Sequence, residues 1–389
     1  MNSSTRRTWW VLGGFLLVAL ALLAIILYPE VKKRWITPLG PGLGLPGSAP
    51  ALSSARDSLP DPSDLAGRNN DSTGAESGLQ SLDDETINAT TKLAETPQPH
   101  CGGPPSMTIL VVGSDSRSGY LYGLADVIRI VSVDFVSPQV NVFSLPRDLW
   151  VEIPDIGDNL GITHGKLNQA YFYGTPGMGY YEGPAGGAGL LARTLELNYG
   201  LHVDHYGVVN LETFVKIVDA MGGIDIDLPT EVDGRPFEGN DIDMGYFPAG
   251  QQHLNGEQTM RLVRIRQKYN DFIRMDNQTR VICALKEKIA TPAILPKIPQ
   301  MIASLRNSVL TDLTPQQLAQ LACLAPQLEP ENLLFTGLPQ EIMSSGQVYS
   351  PQLKDETFVL DADSQVIQNY AGQFMTGSGS IETNETACP

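Results

Sequence analysis

The chain has 389 residues, 42% of them apolar, and 43 acidic against 26 basic side chains give a formal net charge of −17. That balance excludes a general nucleic-acid surface, because duplex affinity comes from Lys and Arg neutralising phosphates. Four cysteines without a CxxC pair exclude a structural zinc site of the usual spacing.

In chain order, residues 1–9 form a short N-terminal arm, and Trp10 to Tyr28 is an uncharged apolar run. At about 1.5 Å per residue this run spans roughly the 30 Å hydrocarbon core of a bilayer. It is longer than the apolar stretch of a cleaved signal peptide, about 7–15 residues, and no small-x-small cleavage site follows it. The expectation is an uncleaved signal anchor, with the N-terminus in the cytoplasm and the folded part extracytoplasmic. The flanking charges do not fix that orientation, since Arg6 and Arg7 oppose Lys32, Lys33 and Arg34. Residues 29–105 are rich in Pro, Gly, Ser and Asp and lose apolar periodicity. Such a segment cannot bury enough surface to offset its ordering entropy, so a disordered linker is expected.

Order is expected from residue 106. Thr108–Gly113, Val127–Val133 and Val140–Leu145 read as strands, the first a continuous apolar run suited to burial on both faces. Gly187–Asn198 and Leu211–Met221 have helical periodicity, and Gly222-Gly223 stops the second before a strand at Ile224–Leu228. Asn255 caps a helix to Leu262, and the longest helix runs from Asp271 to about Ile289. Alternating strands and helices indicate an α/β domain over 106–292, with 293–389 as a C-terminal extension ending in a loose tail.

Charge is unevenly distributed. Between Arg261 and Lys288 eight basic residues stand against three acidic ones, a net +5 within a strongly acidic chain. Arg264 and Arg266, two apart, share a face if that backbone is extended. Arg274 and Gln278, four apart, stack on one helix face, with Asp271 one turn earlier. A solvated helix face accounts for Lys286 and Lys288. Arginines beside Leu262, Val263 and Ile265 point instead to an oxyanion, whose oxygens match the guanidinium fork. Asp115 follows the first strand, Asp126 opens the second and Arg147-Asp148 closes the third, where ligands of α/β sheets bind. Carboxylates next to an arginine cluster suit Mg²⁺ bridging to phosphate oxygens, although Asp also caps turns and helices.

Six segments occur in order: GSDSR (113–117), SLPRD (144–148), HGKLNQAY (164–171), YGVVNLETFVKIVDAMGGIDIDLP (206–229), AGQQHLNGEQTMRLVRIR (249–266) and NDFIRMDNQ (270–278). Across about 170 contiguous residues the chain resembles the LytR-CpsA-Psr family. The resemblance implies an α/β/α sandwich with a central mixed sheet and a long hydrophobic pocket for a polyprenyl chain. It also implies Mg²⁺-dependent transfer of a glycan phosphate from a polyprenyl-pyrophosphate carrier to a cell-wall acceptor hydroxyl. Carried over by position, Asp115 and Asp126 are the metal residues. Arg117, Arg147, Arg264, Arg266, Arg274 and Gln278 are the pyrophosphate-binding set. Arg147, Arg264, Arg266 and Asp271 are the catalytic set, with Asp271 or Asp148 as base. One position departs: the family's Arg-Ser-Asp-Thr is Leu124-Ala125-Asp126-Val127 here, without its arginine. Arg129, three residues beyond Asp126 in a strand, is expected on the opposite face, which leaves Arg117 as the substitute.

Two alternatives stand beside this reading. The lost arginine favours a non-catalytic protein that binds the same lipid carrier. Asp225-Ile-Asp227 and Asp241-Ile-Asp243 formally match the DxD of a type II membrane glycosyltransferase, but Asp225 and Asp227 alternate with apolar residues as the wet face of a strand would. The histidines form no HExxH or triad pattern. Four cysteines allow three pairings in an exported domain, and the expected one is Cys283–Cys323 with Cys101–Cys388.

Overall fold

A computed structural model describes residues 35–45, 98–116, 119–156, 161–236, 242–266, 268–269, 271–294, 301, 308–350 and 354–376. The expected arm, the anchor at 10–28, most of the linker and the end of the tail lie outside these residues.

β1 (Ser106–Ser114), β2 (Ala125–Asp134) and β3 (Gln139–Leu145) carry apolar side chains on both faces, and each face is covered. Leu110, Val112, Ile128, Ile130, Phe143 and Leu145 pack on the side of α1 (Leu167–Tyr173) and α2 (Gly186–Tyr199). Met107, Ile109 and Val133 alternate with them and pack against α6 (Pro315–Leu324), while Val142 meets Cys283 of α5 (Asp271–Ala290). Period-two alternation thus makes a three-layer α/β/α domain.

The sheet has six strands. β6 (His205–Asn210) runs parallel to β1, and β12 (Leu333–Gly337) runs parallel to β3; β1–β2 and β2–β3 are antiparallel. β11 (Leu310–Thr311) closes the other edge, antiparallel to β6. The mixed sheet matches the expected fold class. Both edge strands come from beyond residue 292, so the region read as an extension completes the sheet.

The remaining strands form two-stranded ribbons: β4 (Trp150–Glu152) with β5 (His164–Lys166), β7 (Ile224–Leu228) with β10 (Gly250–Leu254), β8 (Val232–Asp233) with β9 (Tyr246–Phe247), and β13 (Met343–Ser350) with β14 (Asp355–Ala362). α7 (Ser364–Thr376) follows. Asp225 and Asp227 are exposed on β7 between buried apolar residues, as a wet strand face. α3 (Leu211–Ala220) starts at Asn210, whose side chain accepts from Thr213 N at 2.8 Å. α4 (Gly256–Leu262) starts at Asn255 with a reciprocal Asn255–Gln258 capping box.

Two expectations change. Within the segment read as linker, Leu43 and Leu45 are 1% and 6% exposed and belong to the main apolar core. The segment is held by Leu39 N donating to Leu313 O at 3.3 Å and by Tyr206 OH donating to Pro41 O at 3.0 Å. A polar average across 29–105 hides a short PLGPGLGL stretch whose leucines have a core to enter. The cysteines are also paired differently: Cys101 bonds Cys323, and Cys283 is disulfide-bonded elsewhere, so neither expected pairing forms. The reason is topological. α6 lies against the turn at His100–Gly102, bringing the Cα atoms of Cys101 and Cys323 to 6.0 Å, while Cys283 is on α5 beside β12.

Candidate functional site

β1, β2 and β3 bring Asp115, Asp126 and Arg147 to one end of the sheet. Asp115 follows β1, where its Oδ1 accepts from Leu124 N at 2.7 Å and its own N–H donates to Leu124 O at 3.1 Å. These bonds close the loop between β1 and β2. Gly123 is required there, because a Cβ would lie 2.8 Å from Ser116 Cβ and would strike the Ser114 hydroxyl.

Asp126 sits at a break in register. Gly113 pairs with Val127 and Ser114 pairs with Ala125, so Asp126 is the extra residue of a β-bulge. An inserted residue reverses the alternation that follows it. Asp126 and Arg129, three apart, therefore line the same cleft with Ser144, Arg147, Arg274 and Gln278. The expectation that Arg129 faces away is corrected by this bulge.

Arg147 Nη1 donates to Asp126 Oδ1, and its Nε lies 3.4 Å from Asp148 Oδ2. Lys166 Nζ reaches Asp148 Oδ1 at 3.0 Å. Asp148 is thus held between two cations and orients Arg147. The backbone carbonyl of Arg147 accepts from Asn168 N at 3.0 Å, fixing it to the start of α1.

The positive charge of Arg264 acts on Asp115. Burial lifts the Asp115 carboxyl above its ordinary range. The Leu124 N–H lowers it, the Asp126 charge raises it, and Arg147 and Arg264 oppose that rise. The backbone at Arg264 is a turn: Arg264 N donates to Arg261 O at 3.0 Å and Ile265 N to Leu262 O at 3.4 Å. Arg264 is half-buried and Arg266 exposed with buried Ile265 between them, so the two arginines do not share the face that an extended backbone would give. Gln278 Nε2 donates to Val263 O at 3.2 Å, holding this turn to α5. Arg274 is 3% exposed on the inner side of α5. Asp271 is the first residue of α5; its side chain, like Arg117 as a whole, lies outside the described residues.

The cleft is narrow, with a volume of about 10 Å³, room for about one water or one phosphate oxygen. A roomier groove of about 400 Å³ lies between the β7–β10 ribbon and α5, lined by Asp225, Asp227, His253 and Glu287. None of the residues predicted for the site lines it. Between the sheet and α1–α2, Leu110, Val112, Leu190, Leu191 and Leu195 have no exposed surface, so a long apolar chain entering there must displace side chains.

The donor set fits a hard divalent cation. Asp115 and Asp126 are two partly exposed carboxylates near each other, and among the described residues no cluster of three or more His, Cys, Asp or Glu is present. Magnesium commonly takes one or two carboxylates and completes its shell with waters and substrate phosphates. The forks of Arg147 and Arg274 in the same cleft match the oxygens of such phosphates.

Comparison with known proteins gives a consistent picture. The model of the LytR_cpsA_psr family matches residues 76–364. The polyisoprenyl-teichoic acid–peptidoglycan teichoic acid transferase TagU of Oceanobacillus iheyensis is 31% identical over 219 residues, covering 56% of this chain and 62% of the relative. The corresponding TagV transferase of Bacillus subtilis is 29% identical over 196 residues, covering 49% of this chain and 45% of the relative. The crystal structure of B. subtilis TagV superposes with a TM-score of 0.51 at 22% identity, over 70% of this chain and 97% of that one, a likeness of fold. The match therefore spans less than two thirds of either transferase's length.

Proposed function

The chain belongs to the LytR-CpsA-Psr family, and on that premise we propose that it is a phosphotransferase. It moves a glycan phosphate from a polyprenyl-pyrophosphate carrier to a hydroxyl of a cell-wall polymer. The observation that carries this reading is the cleft itself: the Asp126–Arg147 ion pair at the sheet's end shares it with Arg274 and Gln278 of α5, and Asp115 lies within reach of the charges of Asp126, Arg147 and Arg264. Matched relatives named as teichoic acid transferases support the substrate class.

The chemistry follows from this inventory. Arg264 and Arg274 bind pyrophosphate oxygens, Arg147 is oriented for them by Asp126 and Asp148, and Arg266 waits at the exposed rim. Asp115 and Asp126 would hold Mg²⁺, which when bound neutralises phosphate charge. The acceptor oxygen attacks the sugar-linked phosphorus in line, a new P–O bond forms, and the bond to polyprenyl phosphate breaks. Asp271, opening α5, takes the acceptor proton. Phosphoryl transfer depends chiefly on positioning and electrostatics, so many arginines and no nucleophile is the appropriate equipment.

The site lies outside the cytoplasm in this reading, behind the single membrane anchor at 10–28. The Cys101–Cys323 bond supports it, since disulfides persist in oxidising compartments. A carrier-binding protein without turnover is the second reading, favoured by Leu124 in place of arginine. The deciding experiment incubates the protein with Mg²⁺, a polyprenyl-pyrophosphate glycan and a peptidoglycan fragment. Joined glycan and released polyprenyl phosphate, both lost in Arg264→Ala, are expected. Tight lipid binding with no release selects the second reading.

A further inference from the structure

Arg129 is 2% exposed, on the sheet face that meets α5. Its Nη2 donates to Thr279 Oγ1 at 3.1 Å and to Met275 O at 3.3 Å. Its Nε and Nη1 are buried and have no hydrogen-bond partner among the described residues. No carboxylate is within ion-pair distance of it among those residues. Burial pushes Arg129 down to about 10, and the charge of Asp276, on the same helix as its two acceptors, only partly offsets this. A buried cation in this state is unfavourable: an unpaired charge loses hydration with nothing in return, and unmade hydrogen bonds add to the loss.

Cores that need bulk at such a position use Met or Leu. Here a guanidinium lines the cleft that also holds Asp126, Arg147, Arg274 and Gln278. Asp126 is already engaged by Arg147, so it does not supply the missing counter-charge. The guanidinium groups of Arg147 and Arg274 and the amide of Gln278 line the same cleft, so an anion reaching into it would meet three arginines and one amide.

We infer that Arg129 is a pyrophosphate-binding residue of this cleft, a buried guanidinium whose two open donors are satisfied when an oxygen of a bound diphosphate reaches in. This deepens the phosphotransferase reading and rests on it. The bulge at Asp126 turns Arg129 into the cleft, so β2 still delivers a guanidinium although position 124 is Leu. The lipid carrier and free diphosphate share this chemistry.

The test uses inorganic pyrophosphate with Mg²⁺, calorimetric titration and thermal melting, on the wild type, Arg129→Met, Arg129→Lys and Arg264→Ala. Arg129→Met keeps the bulk and removes the charge. Its expected signature is two-sided: at least a tenfold weaker affinity, together with an unliganded melting temperature equal to or above wild type. A residue with a structural role alone moves the opposite way, with lower melting temperature and unchanged affinity, and that result overturns the inference. Arg129→Lys retains charge but not the fork, and an intermediate affinity is expected. If Arg129→Met does not fold, Arg129→Lys decides, and wild-type affinity in that variant also overturns the inference. Weak binding by Arg264→Ala with full binding by the Arg129 variants removes Arg129 and leaves the cleft assignment standing. No pyrophosphate binding by the wild type removes both.

Discussion

Arg147 and Asp126 are ion-paired across the open end of the sheet, from the residues that follow β3 and begin β2. Arg147 also touches Asp148, so its guanidinium is fixed by two carboxylates before any substrate arrives. Such preorganisation avoids reorganisation during reaction. Arg147→Met is expected to lower transfer by about 10²–10³-fold, the usual loss for one preorganised donor. Its melting temperature should fall by a few degrees at most, because Lys166 still holds Asp148. Product formation and a thermal melt, measured together, separate lost chemistry from lost fold.

Asp115 and Asp126 make a second prediction. A chelator should abolish transfer, and added Mg²⁺ should restore it. Asp115→Asn should raise the Mg²⁺ concentration for half-maximal rate while leaving the loop bond to Leu124 N available through the amide oxygen. An unchanged Mg²⁺ titration would falsify the assignment of Asp115.

Leu43 is 1% exposed within a proline- and glycine-rich segment. Leu43→Ala is expected to cost about 2–5 kcal/mol of stability, as for other buried leucines. Gly44, at φ +66°, lies where a Cβ would be 2.5 Å from Pro184 Cγ, so Gly44→Val should also destabilise. Chemical denaturation of both variants is the check. Wild-type midpoints in both would mean that residues 35–45 are not part of the folded unit.

The Cys101–Cys323 disulfide closes a loop with a sequence separation of 222. Replacing both cysteines by Ala should cost about 2–5 kcal/mol, the common range for a native disulfide. Gln320 Nε2 donates to Gly102 O at 2.5 Å and ties the same two elements together, so the native arrangement of α6 should survive. Urea melts of the double variant measure the loss, and a midpoint equal to wild type contradicts it.

Asp233 accepts from Arg235 Nε at 2.8 Å, Arg235 Nη2 at 3.0 Å and Lys268 Nζ at 2.7 Å. Hydrogen bonds from Arg235 and then Lys268 hold its carboxyl far below the usual range. A depressed folded-state value gives stability that is complete above the unfolded value, near 3.9, and is lost as the pH falls below it. The melting-temperature gap between wild type and Asp233→Asn should therefore be flat at neutral pH and shrink below about pH 4. A gap that widens on acidification contradicts this linkage.

Much of the fold is legible in local pattern. Period two in β1–β3 and helical periodicity in α3 and α5 are written in the side chains, and Asn255 with Gln258 marks the start of α4. The carboxylates and arginines of the cleft are legible as residue types at strand and helix ends. The partner of each strand is a different matter. β7 reads like a sheet strand but pairs with β10 in a separate ribbon, and β11 and β12 arrive from far along the chain to edge the sheet.

By itself, then, the sequence determined the family, the α/β layering and an acidic chain with one cationic segment, because each rests on short-range pattern or composition. Only tertiary structure decided which cysteines meet, that Leu43 enters the core, and that Arg129 shares a cleft with Asp126. The physical reason is common to all three: each depends on which surfaces meet, or on one bulged residue in a ladder, and neither is encoded in spacing alone.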